Sequence, residues 1–233
     1  GKSTGGSRLI CCVPSGFLRS CKMRGLTFAV AAADVQLVSF GASPTKFVEL
    51  TDPVMGGKST GTWSLSSDKS FGVMDGAVVD VPSLKAPGFI KAVSDGDFPD
   101  ASSAAGELVL EVRSSTPEYK GFRVSFASGT ASPSYACGGG GSLPLSRGCF
   151  KAKFDVASGS GFTTVRIPFT SFSDKWSPAT GEQTTTCAED KDVCPTAEKL
   201  KGIKRVELWA EGADGKVHLE VRSISASGGS VVV

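Results

Sequence analysis

Apolar and polar residues alternate most clearly in three segments of the chain, 107–113, 122–126 and 217–222. In each segment the apolar side chains fall on one face of an extended chain and the charged or polar side chains on the other. A helical period is not sustained after residue 34, and the one helix candidate, 196–201, spans only one or two turns. The pattern therefore predicts an all-β chain.

Turn residues separate short apolar segments at intervals typical of a sandwich or barrel. The predicted strands are 47–50, 61–65, 71–75, 77–81, 88–92, 107–114, 121–127, 149–155, 163–168, 202–210 and 217–223. Short strands in this number and spacing favour a double-sheet jelly roll, so we predict a jelly-roll β-sandwich.

The first part of the chain differs in composition from the rest. It carries Arg8, Arg19, Lys22 and Arg24 without an acidic residue, and it ends in small residues at 29–33. Such segments resemble organelle-targeting sequences. We interpret 1–33 as a targeting-like or tether segment, 34–226 as a single β-sandwich domain and 227–233 as a C-terminal tail.

Charge and hydropathy exclude two classes of partner. The 25 basic and 23 acidic residues are interspersed and leave a net charge of +2, which provides no field to attract nucleic acid. The longest apolar stretch, 26–38, is broken by Asp34 and Gln36, well short of the roughly 20 residues that span a bilayer. We expect no nucleic-acid partner and no transmembrane segment.

Residues for catalysis or metal binding are sparse. The chain has one histidine, His218, which alternates with apolar residues in a predicted strand and is expected at a solvent-side or edge position. With a single histidine in the chain, Ser-His-Asp chemistry lacks sequence support, and the acidic group at 189–192 is typical of a solvated turn. We predict a protein that is not an enzyme and has neither a metal site nor a cofactor.

Four cysteines lie within or directly after two polar inserts, 128–148 and 175–198. Cys137 with Cys149, and Cys187 with Cys194, each flank a short loop that a disulfide would close in an oxidising compartment. Neither pair has the C-x-x-C spacing of a zinc site, so disulfides are favoured over free thiols and over metal ligation. We expect both inserts to be surface loops held by covalent links.

The segment 51–63 is unusually dense in turn-forming residues. Gly56, Gly57 and Gly61, together with one proline, specify a tight and fixed backbone path, as at a corner that closes the sandwich. The same segment also has the composition of a recognition loop, and the two roles are compatible. Its candidate binding residues are Asp52, Met55, Lys58, Ser59 and Trp63.

Two segments carry a resemblance to a known family. Residues 52–61 read Asp-x-x-Met-Gly-Gly-x-Ser-x-Gly, and 162–172 read Phe-x-Thr-Val-Arg-Ile-Pro-Phe-x-x-Phe. Both segments are similar to motifs of the complex I intermediate-associated protein 30 family, and the resemblance extends over roughly residues 38 to 225. It implies a galactose-binding-like jelly roll in which Pro168 and Phe169 are structural.

The resemblance also implies a function, namely a non-catalytic assembly factor or accessory subunit that docks on a large membrane-embedded electron-transfer complex. Together with the targeting-like segment and the candidate disulfides, it favours a photosynthetic complex in the thylakoid lumen of a plastid. Respiratory complex I in the mitochondrial matrix is the next expectation.

A carbohydrate-binding module is the alternative, because galactose-binding-like sandwiches often grip sugars with aromatic and polar loop residues. The aromatic residues available for stacking on a sugar are Trp176, Tyr135 and Trp63.

Overall fold

The computed structural model describes residues 20–23, 26–29, 33–52, 56–128, 149–177 and 179–228. The chain divides into two compact units, residues 1–31 and 32–233. In the first unit, strand β1 (Ser20–Met23) pairs antiparallel with β2 (Leu26–Ala29). The second unit contains the predicted sandwich.

The strands of the second unit are numbered in chain order. They are β3 (Val35–Ser39), β4 (Val48–Thr51), β5 (Thr60–Leu65), β6 (Gly72–Val78), β7 (Asp80–Val81), β8 (Ala86–Pro87), β9 (Phe89–Asp95), β10 (Glu107–Arg113), β11 (Phe122–Ser128), β12 (Cys149–Lys153), β13 (Thr163–Pro168), β14 (Ile203–Glu211) and β15 (Gly215–Ser227).

In the part of the chain that the structure describes, helical structure is confined to short pieces. The helix α1 spans Ala197–Lys201, and 3-10 turns lie at Ser102–Ala104, Phe169–Ser171 and Lys191–Val193. The hydroxyl of Thr196 accepts a hydrogen bond from the Lys199 N–H at 3.3 Å and so caps α1. Within the described residues, no helix has the length and apolar character that a membrane crossing requires.

Two antiparallel sheets form the sandwich. The six-stranded sheet has the order β13-β10-β15-β6-β5, with β3 also pairing with β15, and the five-stranded sheet has the order β12-β11-β14-β9-β4. The core between them combines Leu110, Val221 and Ile224 from one sheet with Val124 and Leu208 from the other, all fully buried. The predicted all-β jelly-roll sandwich is confirmed.

Two local features differ from the predicted strands. Segments 71–75 and 77–81 were expected as two strands, but β6 runs through Gly76. A Cβ at this glycine would lie 2.0 Å from the Thr60 carbonyl oxygen, so the glycine permits close approach of β5 and does not mark a turn. Strand β3 was not predicted. Its polar Gln36 donates a hydrogen bond to the Ile224 carbonyl of β15 at 2.9 Å.

Candidate functional site

The segment between β4 and β5 is organised around one buried carboxylate. Asp52 is fully buried and accepts hydrogen bonds from the Ser59 N–H at 3.1 Å, the Ser59 hydroxyl at 2.7 Å and the Phe89 N–H at 3.1 Å. The Ser59 oxygen in turn accepts from the Val79 N–H at 3.0 Å. We call these four residues the Asp52 corner, and they join the end of β4 to β5, β9 and the segment that follows β6.

Glycines surround the Asp52 corner because there is no room for side chains. A Cβ at Gly57 would lie 2.1 Å from the Asp52 carboxyl carbon, and one at Gly88 would lie 1.5 Å from Oδ2. A Cβ at Gly61 would lie 2.9 Å from the Ile90 side chain, while Gly56 has a φ of +75°, which favours glycine. Within residues 52–61, packing around the carboxylate explains Gly57, contact with Ile90 explains Gly61, and a positive φ explains Gly56.

The structure separates the candidate binding residues of this segment. Asp52 and Ser59 are buried and use their polar atoms within the fold, whereas Lys58 is exposed. Trp63 is half-buried against Phe47, with ring centroids 4.7 Å apart. Met55 lies outside the described residues. The geometry supports the corner role for Asp52, Ser59 and Trp63, and leaves Lys58 available for contact with a partner.

The second family-like segment packs into the core. Phe169 is buried, lies edge-on to Phe126 with centroids 5.8 Å apart, and donates its N–H to the Gly106 carbonyl at 3.0 Å. Pro168 ends β13 opposite Glu107 of β10. These positions agree with the structural roles that the resemblance implies.

The outer face of the five-stranded sheet, which faces away from the core, carries a buried ionic cluster. Glu207 on β14 is fully buried; its carboxylate lies 3.1 Å from Lys91 Nζ and 3.6 Å from an Arg205 nitrogen. The Ser125 hydroxyl and the Trp209 indole N–H also donate to it, each at 3.0 Å. The negative charge of Glu207 is thus balanced by cations and hydrogen-bond donors inside the protein.

A second ionic group lies beside the first, towards β12. The Lys151 ammonium is 2.5 Å from Glu211 Oε1 and sits over the indoles of Trp176 and Trp209, 3.5 and 3.6 Å from the ring centroids. Burial lowers the pKa of Lys151 to about 8, and Glu211 opposes this shift. Arg123, also buried, donates to the Glu211 carbonyl at 2.5 Å.

Sequence analysis did not identify either ionic group. The alternation of β14 places Arg205, Glu207, Trp209 and Glu211 on one face, which is the signal that could have found them. Polar residues on one face of a strand are usually exposed to solvent. Sequence alone does not reveal that the outer face of the five-stranded sheet is covered.

Part of the cover is a polar segment, 173–196, that crosses the β12 side of this face. Ser173 and Lys151 exchange backbone hydrogen bonds of 2.9 and 3.2 Å, and Gln183 Nε2 donates to the Lys151 carbonyl at 2.9 Å. A disulfide joins Cys187 and Cys194 within this covering segment. Cys149 is also disulfide-bonded, whereas Cys137 lies outside the described residues.

A polar cleft of about 340 Å³ opens between β12 and the covering segment. Its lining includes Lys153, Glu182, Gln183 and Thr186. Trp176, which was considered for stacking on sugars, is only 2% exposed and faces Trp209 instead. Tyr135, the other loop aromatic in that hypothesis, lies outside the described residues.

His218 lies on the solvent side of the six-stranded sheet, within β15. Its Nδ1 is 2.5 Å from Asp75 and its Nε2 is 3.3 Å from Glu220, which also accepts a hydrogen bond from Arg113. These side chains form a line of polar contacts across neighbouring strands. Across the described part of the chain, no group of three or more His, Cys, Asp or Glu side chains is arranged to hold a metal ion.

Comparisons with known proteins address the family and the fold. The model of the family described as complex I intermediate-associated protein 30 matches residues 38–191, which is more than half of the chain. No curated protein matches the sequence.

Solved structures share the fold at low identity. A family 11 carbohydrate-binding module from Clostridium thermocellum, in complex with a β-1,3-1,4-mixed-linked tetrasaccharide, superposes with a TM-score of 0.50 at 12% identity, covering 83% of this chain and 95% of that one. The same module family from the cellulosomal cellulase Lic26A-Cel5E of Clostridium thermocellum gives 0.49 at 13% identity, covering 85% and 96%.

Proposed function

The chain belongs to the complex I intermediate-associated protein 30 family, and from this premise we propose that it is a non-catalytic assembly or accessory protein of a membrane-embedded electron-transfer complex. It acts by protein contacts and carries out no reaction of its own. The family name supports complex I or a complex of related function as the object of that assembly.

One observation carries the proposal, namely the use that the fold makes of the family motif. Inside the protein, the Asp52 carboxylate accepts hydrogen bonds from Ser59 and from the Phe89 N–H. Gly57 and Gly88 provide space for this carboxylate. A catalytic or sugar-binding motif would direct such groups to an open cleft. Here they build a rigid corner, which suits a protein that presents a fixed surface to a partner.

The compartment is part of the same proposal. The Cys187–Cys194 disulfide supports an oxidising environment, since structural disulfides are rare where thiols are kept reduced. We therefore favour the thylakoid lumen of a plastid and a photosynthetic complex, with complex I in the mitochondrial matrix as the alternative.

Native gels test the proposed function. Membranes from cells that express the full chain with a C-terminal tag are solubilised in mild detergent and resolved on blue-native gels, and tagged bands are identified by mass spectrometry. We expect the protein to co-migrate with subunits or assembly intermediates of an electron-transfer complex, and these subunits show which complex it serves. Migration as a free monomer under all detergent conditions would contradict the proposal.

Thiol labelling of the native protein tests the compartment. Alkylation before and after reduction, followed by mass spectrometry, counts the oxidised cysteines. We expect Cys187 and Cys194 to be oxidised in freshly prepared organelles. Reduced thiols at both positions would favour the mitochondrial matrix.

A further inference from the structure

We propose that β4 is the docking edge of the sandwich, and that it pairs with an extended segment of a partner protein that is apolar at alternate positions and acidic at its ends. This inference rests on the proposed function, because it names the surface by which the protein would reach its complex. An edge strand presents unpaired backbone N–H and C=O groups, which a further strand can satisfy.

β4 lies at one end of the five-stranded sheet and, within the described residues, pairs on one side only, with β9. The other end of that sheet is closed, because Ser173 and Gln183 of the covering segment bond the backbone of β12 at Lys151. This difference leaves β4 as the open edge of the five-stranded sheet.

The edge strands β13 and β5 of the six-stranded sheet expose more polar side chains than β4 does. β13 carries Arg166 and ends in Pro168, both of which discourage further pairing. β5 presents Thr62 and Ser64, both exposed, on its outward-facing positions. β4 instead consists of Val-Glu-Leu-Thr and has no lysine, arginine or proline.

The outward face of β4 is apolar and exposed. Val48 is 68% exposed and Leu50 is 41% exposed, and the strand register places them opposite Val93 and Lys91 of β9. Val93 is half-buried, and the buried Lys91 is paired with Glu207 of the neighbouring strand β14 at 3.1 Å. A partner strand added here would extend the apolar face of Val48 and Leu50, while the exposed Glu49 projects to the opposite face of β4.

Buried residues fix both ends of β4. Phe47, directly before the strand, packs on Trp63, and Asp52, directly after it, accepts the Phe89 N–H. The exposed residues between them are therefore held in an extended conformation before any partner arrives. Binding to a pre-organised edge costs less conformational entropy than binding to a mobile segment.

Charge at the two ends of the strand indicates the chemistry of the occupant. Lys46 precedes β4, Lys58 lies in the segment between Asp52 and Ser59, and both are exposed. Acidic residues at the ends of a partner segment would complement them. Antiparallel pairing with β4 of a second copy would bring the Lys46 end of one chain towards the Lys58 end of the other, which like charges oppose.

The test uses the full tagged chain with Leu50→Lys, which places a charge on the exposed apolar face, and Leu84→Lys as the matched control at a leucine that is 50% exposed outside β4. On blue-native gels we expect Leu50→Lys to reduce the fraction that co-migrates with the complex at least tenfold, and Leu84→Lys to leave it unchanged. Equal co-migration of both variants would overturn the docking edge while the proposed function stands.

A peptide probe tests the edge independently of the proposed function. A fluorescein-labelled peptide Asp-Glu-Val-Thr-Val-Thr-Val-Glu-Asp is titrated with the full chain, and fluorescence polarisation is measured. We expect binding that Leu50→Lys weakens at least tenfold and that replacing the central valine of the peptide by proline abolishes. Equal binding of the proline peptide, or no binding of either peptide, would overturn the inference.

Sedimentation of the protein without peptide tests whether β4 pairs with a second copy of this chain. We expect a monomer. A dimer that Leu50→Lys dissociates would show that the occupant is a second copy of this chain, and would overturn the proposal of a partner protein.

Discussion

At the scale of single residues, Asp52 is the side chain on which the family-like segment depends. Replacing it by alanine leaves the N–H groups of Ser59 and Phe89 buried without an acceptor. We expect Asp52→Ala to lower the free energy of unfolding by about 3 kcal/mol. Urea denaturation followed by tryptophan fluorescence measures the change.

Asp155→Ala is the control, because this carboxylate is exposed and pairs with the exposed Lys120. It should leave the stability nearly unchanged. A double-mutant cycle adds a stricter criterion. Gly88→Ala introduces a methyl group where the Asp52 carboxylate lies, so the cost of Gly88→Ala should be smaller in the Asp52→Ala background than in the wild type. Additive costs would argue against the steric explanation.

The buried amine of Lys151 makes stability depend on pH. The unfolded chain holds this proton up to its ordinary pKa of 10.5, whereas the folded protein releases it near 8, because burial disfavours the charged form. Between these values the unfolded state binds more protons, so the contribution of Lys151 to stability rises with pH.

Comparison with Lys151→Met isolates this effect. Burial raises the pKa of Tyr119 above its usual value, and that contribution is the same in both proteins and cancels. We expect the unfolding free energy of the wild type, minus that of the variant, to increase between about pH 8 and about pH 10. A difference that stays flat over this range would show that Lys151 keeps its proton when folded.

At the scale of structural elements, the covering segment holds the indole and ammonium groups of the outer face out of solvent. The Cys187–Cys194 disulfide closes a short loop in it, with a sequence separation of 7. Loop-closure entropy for such a link corresponds to about 2 to 3 kcal/mol. We expect the double variant Cys187→Ala/Cys194→Ala to lower the free energy of local opening of the covering segment by this amount.

Hydrogen exchange localises that loss. Amide protons of residues 173–196 should exchange faster in the double variant, while those of β10 and β15 keep their wild-type rates until global unfolding. Chemical reduction is a poorer test, since Cys149 is also disulfide-bonded and would respond. Uniformly faster exchange in both regions would mean that the disulfide stabilises the whole sandwich.

The elements also show what the sequence can reveal. Alternation located β10, β11 and the start of β15, because a period of two is a strong signal wherever one face is buried. It missed β3, in which buried Leu37 and Val38 are adjacent, and it divided β6 at Gly76, since a glycine that permits close strand approach looks like a turn residue.

The candidate site was predictable only in part. The dense segment at 51–63 was correctly identified as distinctive, and a corner role was one of its two interpretations. That Asp52 faces inward depends on the Phe89 N–H, a contact 37 residues away that local patterning does not report. The ionic groups of β14 were missed for the same reason, since their cover comes from distant segments.

At the scale of the whole molecule, the core draws on residues between Leu37 and Ala226. We therefore expect a protein truncated to residues 34–228 to unfold cooperatively with a melting temperature close to that of the full chain. Differential scanning calorimetry of both proteins checks this. A lower melting temperature for the truncated protein would show that residues outside this range contribute to the stability of the sandwich.

β15 pairs with β3, β6 and β10, so the last strand of the sandwich lies beside the first. The six-stranded sheet lacks its central member until β15 has been synthesised. Assembly of this sheet must then wait for β15. A nascent chain that stops before β15 therefore exposes the strands that β15 would join.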